Sequence, residues 1–164
     1  MPLEIAKSID TFRAPAYLDW QRMRGECLIC KILGIKQHGR VAPHHTIGVG
    51  KSEGGDDLTV PVDPQHHPQS PKAFLVMCRE LGLRVDDLVD RTQAEFCLDQ
   101  GYQRDQFGNG RESFRRILIE AGLGGPTDDS RRVGHGTAKS KGKKLSNLRP
   151  LSKRVGTPTN PLTQ

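Results

Sequence analysis

Two cysteines, Cys27 and Cys30, are separated by two residues and stand just upstream of the adjacent histidine pairs His44-His45 and His66-His67. This spacing constrains the fold more than any other feature, because the rest of the chain is poorly equipped to hold itself together. Only 34% of the 164 residues are hydrophobic and 5% are aromatic, so the apolar core must be small. A small core barely offsets chain entropy and usually needs a staple such as a disulfide or a metal. No apolar run approaches the roughly 20 residues required to span a bilayer. The opening residues, interrupted by Glu4, Lys7 and Asp10, lack the apolar stretch of a secretory signal. The chain is therefore expected in the cytoplasm with no membrane partner. There, four cysteines are not expected to pair as disulfides, and a close pair reads first as a metal site.

At about 150 residues per domain, the length leaves room for one compact domain and a tail. Charge divides the chain in the same way. Nine of the 25 basic residues and two of the 19 acids fall in residues 126 to 164, so that segment carries +7 and the remainder −1. From Gly124 onward the sequence is Gly, Pro, Ser, Thr and Lys with scarcely a hydrophobic pair, which predicts a disordered basic tail over 124–164. Its lysines Lys139, Lys141, Lys143 and Lys144 are candidate nucleic-acid contacts of a non-specific kind, in which each neutralised phosphate releases counterion. A solvated extension is the plainer reading. No interleaved aromatic residues supply a stacking platform for single strands.

Ahead of the tail, residues 1–24 are expected to form a short wrap and then a helical turn around Tyr17 to Met23, since Pro15 forbids one continuous helix. Cys27 to Cys30 reads as a turn-like knuckle. Arg40 to His45 and Leu58 to Val62 read as two short strands, joined by a loop rich in Gly48, Gly50, Gly54 and Gly55. Ser70-Pro71 is an N-cap followed by proline at the first helical position, and it opens a helix whose Phe74, Leu75, Cys78 and Leu81 are predicted to face the core. Further helices are predicted from about Val85 to Leu98 and from Glu112 to Ala121, giving a helical extension over 83–123 behind a core over 25–82. Cys78 and Cys97 lie on apolar helical faces and read as core packing. His38 and His135 read as solvated.

Five of the six histidines fall between residues 38 and 67. Two thiolates at this spacing can reach one zinc ion, whose tetrahedral shell at about 2.0 to 2.3 Å then needs two ligands from elsewhere. Adjacent histidines on a strand point to opposite faces, so one can ligate a metal while its neighbour stays free. A free imidazole, with an ordinary pKa of about 6.5, is suited to deprotonating water beside a phosphate-bound cation.

Cys-x2-Cys, a glycine-punctuated gap, His-His, a glycine-rich loop ending in Asp56-Asp57, the strand Leu-Thr-Val-Pro-Val and a second His-His resemble the HNH, or ββα-metal, endonuclease superfamily. The likeness is closest to its phage and prophage branch of Ref-like recombination-enhancement nucleases. It covers about residues 17 to 90, with the motif itself in residues 27 to 67. The resemblance implies an α+β fold: a zinc-stapled ββα-metal core with flanking helices and the basic tail. It also implies a metal-dependent DNA endonuclease, phage or prophage encoded and acting in a bacterial host cell, with DNA and a recombinase filament or other DNA-processing protein as partners. His45 would be the general base. His44 and His67 would hold a catalytic Mg2+, Mn2+ or Zn2+, and Cys27, Cys30 and His66, with Asp63, a structural Zn2+.

Three positions depart from the superfamily pattern. Asp63 stands where a fourth zinc-binding cysteine is expected. Leu58 occupies the place of the middle asparagine, with Asp57 beside it as a substitute. No histidine follows one turn after His67, where Pro68 and Pro71 instead delay or break the helix. The rival reading, a zinc-stapled DNA-associated accessory protein whose nuclease centre has decayed, draws on the absent asparagine and histidine.

Overall fold

A computed structural model describes residues 11–47, 54–108 and 110–127. The predicted tail lysines and Gly48 and Gly50 of the hairpin loop lie outside the described residues. The described chain is an α+β fold of five helices and two small antiparallel sheets.

The metal-motif half is a hairpin against helices. Strand β2 (Ala42–His45) pairs with β3 (Thr59–Val62), with His44 opposite Val60 and His45 opposite Thr59. All four residues of β3 are buried, so this strand is covered on both faces. A 3-10 turn (Pro64–His66) follows. Helix α3 (Pro71–Glu80) then starts where Ser70 accepts the Ala73 N–H at 3.1 Å. Phe74 and Cys78 of α3 are buried, but Leu75 and Leu81 are 48% and 37% exposed, which corrects the predicted four-residue core stripe. With the short helix α2 (Leu28–Leu33), these elements and the first half of α4 (Val85–Gln100) form one apolar cluster around Ile29, Val60, Val62, Phe74 and Leu88.

The second cluster joins segments that the sequence reading kept apart. Helix α1 (Pro15–Arg24) is longer than the predicted turn, with Pro15 in the first turn where its missing N–H costs nothing. Tyr17, Trp20 and Gln21 face inward. Tyr17 meets Phe96 of α4 and Phe114 of α5 (Arg111–Glu120) edge-on at 5.1 and 5.0 Å, geometry in which ring edges face the π-clouds. Helix α4 serves both clusters because its buried residues, from Leu88 and Val89 to Phe96, Cys97 and Gln100, recur along one face.

Strand β1 (Thr11–Arg13) pairs with β4 (Gly125–Thr127), Thr11 opposite Thr127. Residues 125–127 therefore belong to the folded body and not to the predicted disordered tail, because Thr127 completes the ladder by donating its hydroxyl to the Thr11 carbonyl at 2.9 Å. Phe12 also bridges to Gly55, and the Asp56 N–H donates to the Phe12 carbonyl at 2.9 Å. Gly55 is required there. A Cβ would meet Asp57 Oδ1 at 2.5 Å and Phe12 Cβ at 3.0 Å. The Gly55→Ala variant is expected to lose about 1–3 kcal/mol in thermal or urea unfolding, the cost of overpacking a closed site. An unchanged midpoint would show that the loop has room.

Candidate metal centre and histidine site

The buried centre is built by three turns that each solve a local backbone problem. Gly25, at φ 65°, ends α1 and delivers Cys27 as the N-cap of α2. Cys27 Sγ accepts the Cys30 N–H at 3.5 Å, which folds the knuckle around the sulfur. The predicted turn-like knuckle is thus the first turn of a helix, ended by Gly34. Gln37, which no local sequence pattern marks, fixes the knuckle from outside: its Oε1 accepts the Cys27 N–H at 2.7 Å, and its Nε2 donates to the carbonyls of Gly25 and Gly39. Asp63 caps the 3-10 turn by accepting the His66 N–H at 3.1 Å, so cap and candidate ligand are the same side chain.

Cys27, Cys30, Asp63 and His66 are all buried, with one ligand atom from each lying within 4.8 Å of every other. This cluster could hold a metal ion, as predicted from the sequence. Its edges suit the purpose. His66 Nδ1 lies 3.7 Å from Cys27 Sγ and 3.6 Å from Cys30 Sγ, and Cys30 Sγ lies 3.4 Å from Asp63 Oδ2. A tetrahedron with sulfur at about 2.3 Å and nitrogen or oxygen at about 2.0 to 2.1 Å has mixed edges of roughly 3.5 Å. His66 Nδ1 and Asp63 Oδ1 are 2.9 Å apart, so without an ion they can share a proton, which a bound metal would displace. Charge points the same way. Burial pushes the Cys30 thiol up to about 12, with Cys27 and Asp63 adding to it, because two sulfurs and a carboxylate crowd one dry space. Burial also opposes the charged form of Asp63, but the N–H groups of His38 and His66, the Cys30 thiol and the His66 ring together hold its carboxyl below the usual range.

The other predicted site residues lie across the hairpin. His44 and His45 are adjacent on β2, His44 packing against Phe74 and His45 reaching Asp56. The His44 ring lies 4.5 Å from Phe74 and meets the His67 ring at 4.8 Å in a perpendicular arrangement. His44 is 5% exposed, and its Nε2 is buried with no hydrogen-bond partner among the described residues. Burial, then the neighbouring His67 and His45, push its pKa down to about 4, so it stays neutral with a lone pair to offer. His67 follows the 3-10 turn, is exposed and precedes the delayed start of α3. His44, His45 and His67 all line one shallow concavity of about 250 Å³, together with Pro43, Pro68 and Pro71.

His45 places Nε2 3.1 Å from Asp56 Oδ1. Asp56 is 2% exposed. Burial works against its charge, yet His45, the Ala14 N–H and Arg13 outweigh that and hold the carboxyl below its ordinary range. Asp57, expected as the substitute for the missing asparagine, is engaged elsewhere. Asp57 is fully buried and taken by Arg111 and Arg115 of α5, whose Nε atoms lie 2.6 and 2.8 Å from its Oδ2. The choice between the two acids was hidden because those arginines are 54 and 58 residues downstream.

Compared with protein families, with curated proteins and with solved structures, the chain matches none. Among the described residues, no helix is long and apolar enough to cross a membrane.

Proposed function

We propose that this chain is a metal-dependent DNA endonuclease of the HNH, or ββα-metal, type, stapled by a structural zinc at Cys27, Cys30, Asp63 and His66. The observation that carries the reading is the orphaned Nε2 of buried His44 beside His67, with His45 lining the same concavity. A buried ring nitrogen without a partner costs free energy, which a cation at His44 and His67 would recover. The hairpin-then-helix order β2, β3, α3 is consistent with it.

His44 and His67 would hold the catalytic cation. Imidazole donors suit Zn2+ better than Mg2+, which prefers oxygen ligands, and Mn2+ falls between. When bound, such a cation neutralises charge developing on the phosphate and leaving oxygen. His45 takes a proton from the water that attacks phosphorus, and the leaving oxygen collects its proton from solvent. Phe74, packed on His44, keeps that ring in place. The rival, a decayed zinc-stapled accessory protein, is favoured by Leu58, which packs against the core where a polar residue would serve the site.

Nicking of supercoiled plasmid with Mn2+, Zn2+ or Mg2+ tests the proposal. His45→Ala is expected to lower the rate by about 100-fold or more, the usual worth of a general base. Equal nicking by parent and variant would remove His45 from the chemistry. A zinc-loaded parent that binds DNA without nicking it would favour the rival.

A further inference from the structure

We propose that Asp56 is the positioning residue for His45, and that strand β1 is part of the catalytic apparatus because it holds Asp56 in place. The inference rests on the reading of His45 as base, but it assigns a role to residues outside the hairpin and helix.

Both carboxylate oxygens of Asp56 are committed. Oδ1 faces His45 Nε2 at 3.1 Å and lies 3.6 Å from an Arg13 guanidinium nitrogen. Oδ2 accepts the Ala14 N–H at 2.8 Å. Its backbone is tied as well: the Asp56 N–H donates to the Phe12 carbonyl, and the Thr59 hydroxyl donates to the Asp56 carbonyl at 2.9 Å. A carboxylate bonded on both sides has no freedom to turn away from the imidazole. An ionised carboxylate only accepts, so Nε2 must carry the ring proton, and Nδ1 is left with the lone pair. Asp56 thereby selects the nitrogen that can act as base and fixes the ring about its own axis. Three of the groups holding it, the Phe12 carbonyl, Arg13 and the Ala14 N–H, come from β1 and the residue after it.

The test has two independent arms on the full-length chain. Long-range 15N–1H NMR at pH 8, with His45 assigned against His45→Ala, reads the tautomer directly. The expected parent signal is protonated Nε2, shifting toward the other tautomer in Asp56→Asn. Protonated Nδ1 in the parent overturns the proposal whether or not the protein cuts DNA. The second arm is steady-state nicking. Asp56→Asn is expected to reduce kcat about 100-fold with KM within twofold, as for loss of an interaction that matters only to the reacting state. A variant nicking within twofold of a His45-dependent parent overturns it. Should Asp56→Asn fail to fold, the parent's tautomer still decides. A parent that never nicks, yet carries its proton on Nε2, overturns the hydrolytic reading and the catalytic role of β1 while upholding the Asp56–His45 contact.

Discussion

Replacing Cys30 by serine is expected to strip the metal from the buried centre and unfold the hairpin half of the protein. Elemental analysis should fall from about one zinc per chain toward none, and the cooperative thermal transition should be lost or shifted far down. Serine offers a hard oxygen that does not ionise in reach of neutral pH, so it cannot replace a thiolate as a soft donor. Structural zinc contributes about 10–16 kcal/mol in small zinc-dependent folds, whereas a domain retains only about 5–15 kcal/mol of net stability. Losing the ion therefore exceeds the margin. In the parent without an ion, Asp63 and two sulfurs would share one dry space, where burial pushes the Cys30 thiol up to about 12. A strong chelator should reproduce the effect in the parent. A parent purified without metal, or a serine variant melting with the parent, would dismiss the staple.

The second large effect is expected at Asp57. Its carboxylate is fully buried and accepts paired contacts from Arg111 and Arg115, whose side chains are 31% and 25% exposed. Asp57→Asn leaves two guanidinium groups facing each other without the anion between them. Removing one partner of a buried pair costs about 3–5 kcal/mol, and the partial exposure of both arginines places the expectation near the lower end. For a body of this size, about 3 kcal/mol corresponds to a melting point roughly 10 °C lower. Zinc content should be unchanged, because the knuckle and Asp63 make no use of Asp57. A melting point within about 2 °C of the parent would show that solvent already screens the pair.

Both expectations depend on features that differ greatly in how visible they are in the sequence. The members of the buried cluster that could hold a metal were legible because CxxC spacing is a local geometric constraint and the histidine pairs are rare events in a short stretch. The helices were legible where capping chemistry marks them, as at Ser70-Pro71, and where buried residues recur on one face, as in α4 and α5. Leu75 and Leu81 misled because periodicity registers apolar character, and only the packing partners decide which apolar residues are covered. Asp56 and Asp57 are chemically identical neighbours. Their roles are set by which face of the loop meets β1 and which meets α5, information that resides in distant parts of the chain. The pairing of β1 with β4 was invisible for the same reason. Three residues are too few to show alternation, and the partners lie 116 residues apart.

That short ladder has a mechanical consequence. Thr11 and Thr127 form its outermost rung, so a pull separating the two ends would peel it like a zip: that rung first, then Phe12 from Pro126, then Arg13 from Gly125. The next contacts in line are those of Phe12, Arg13 and Ala14 with Asp56. Tension from anything tethered at both ends would reach His45 after only three rungs.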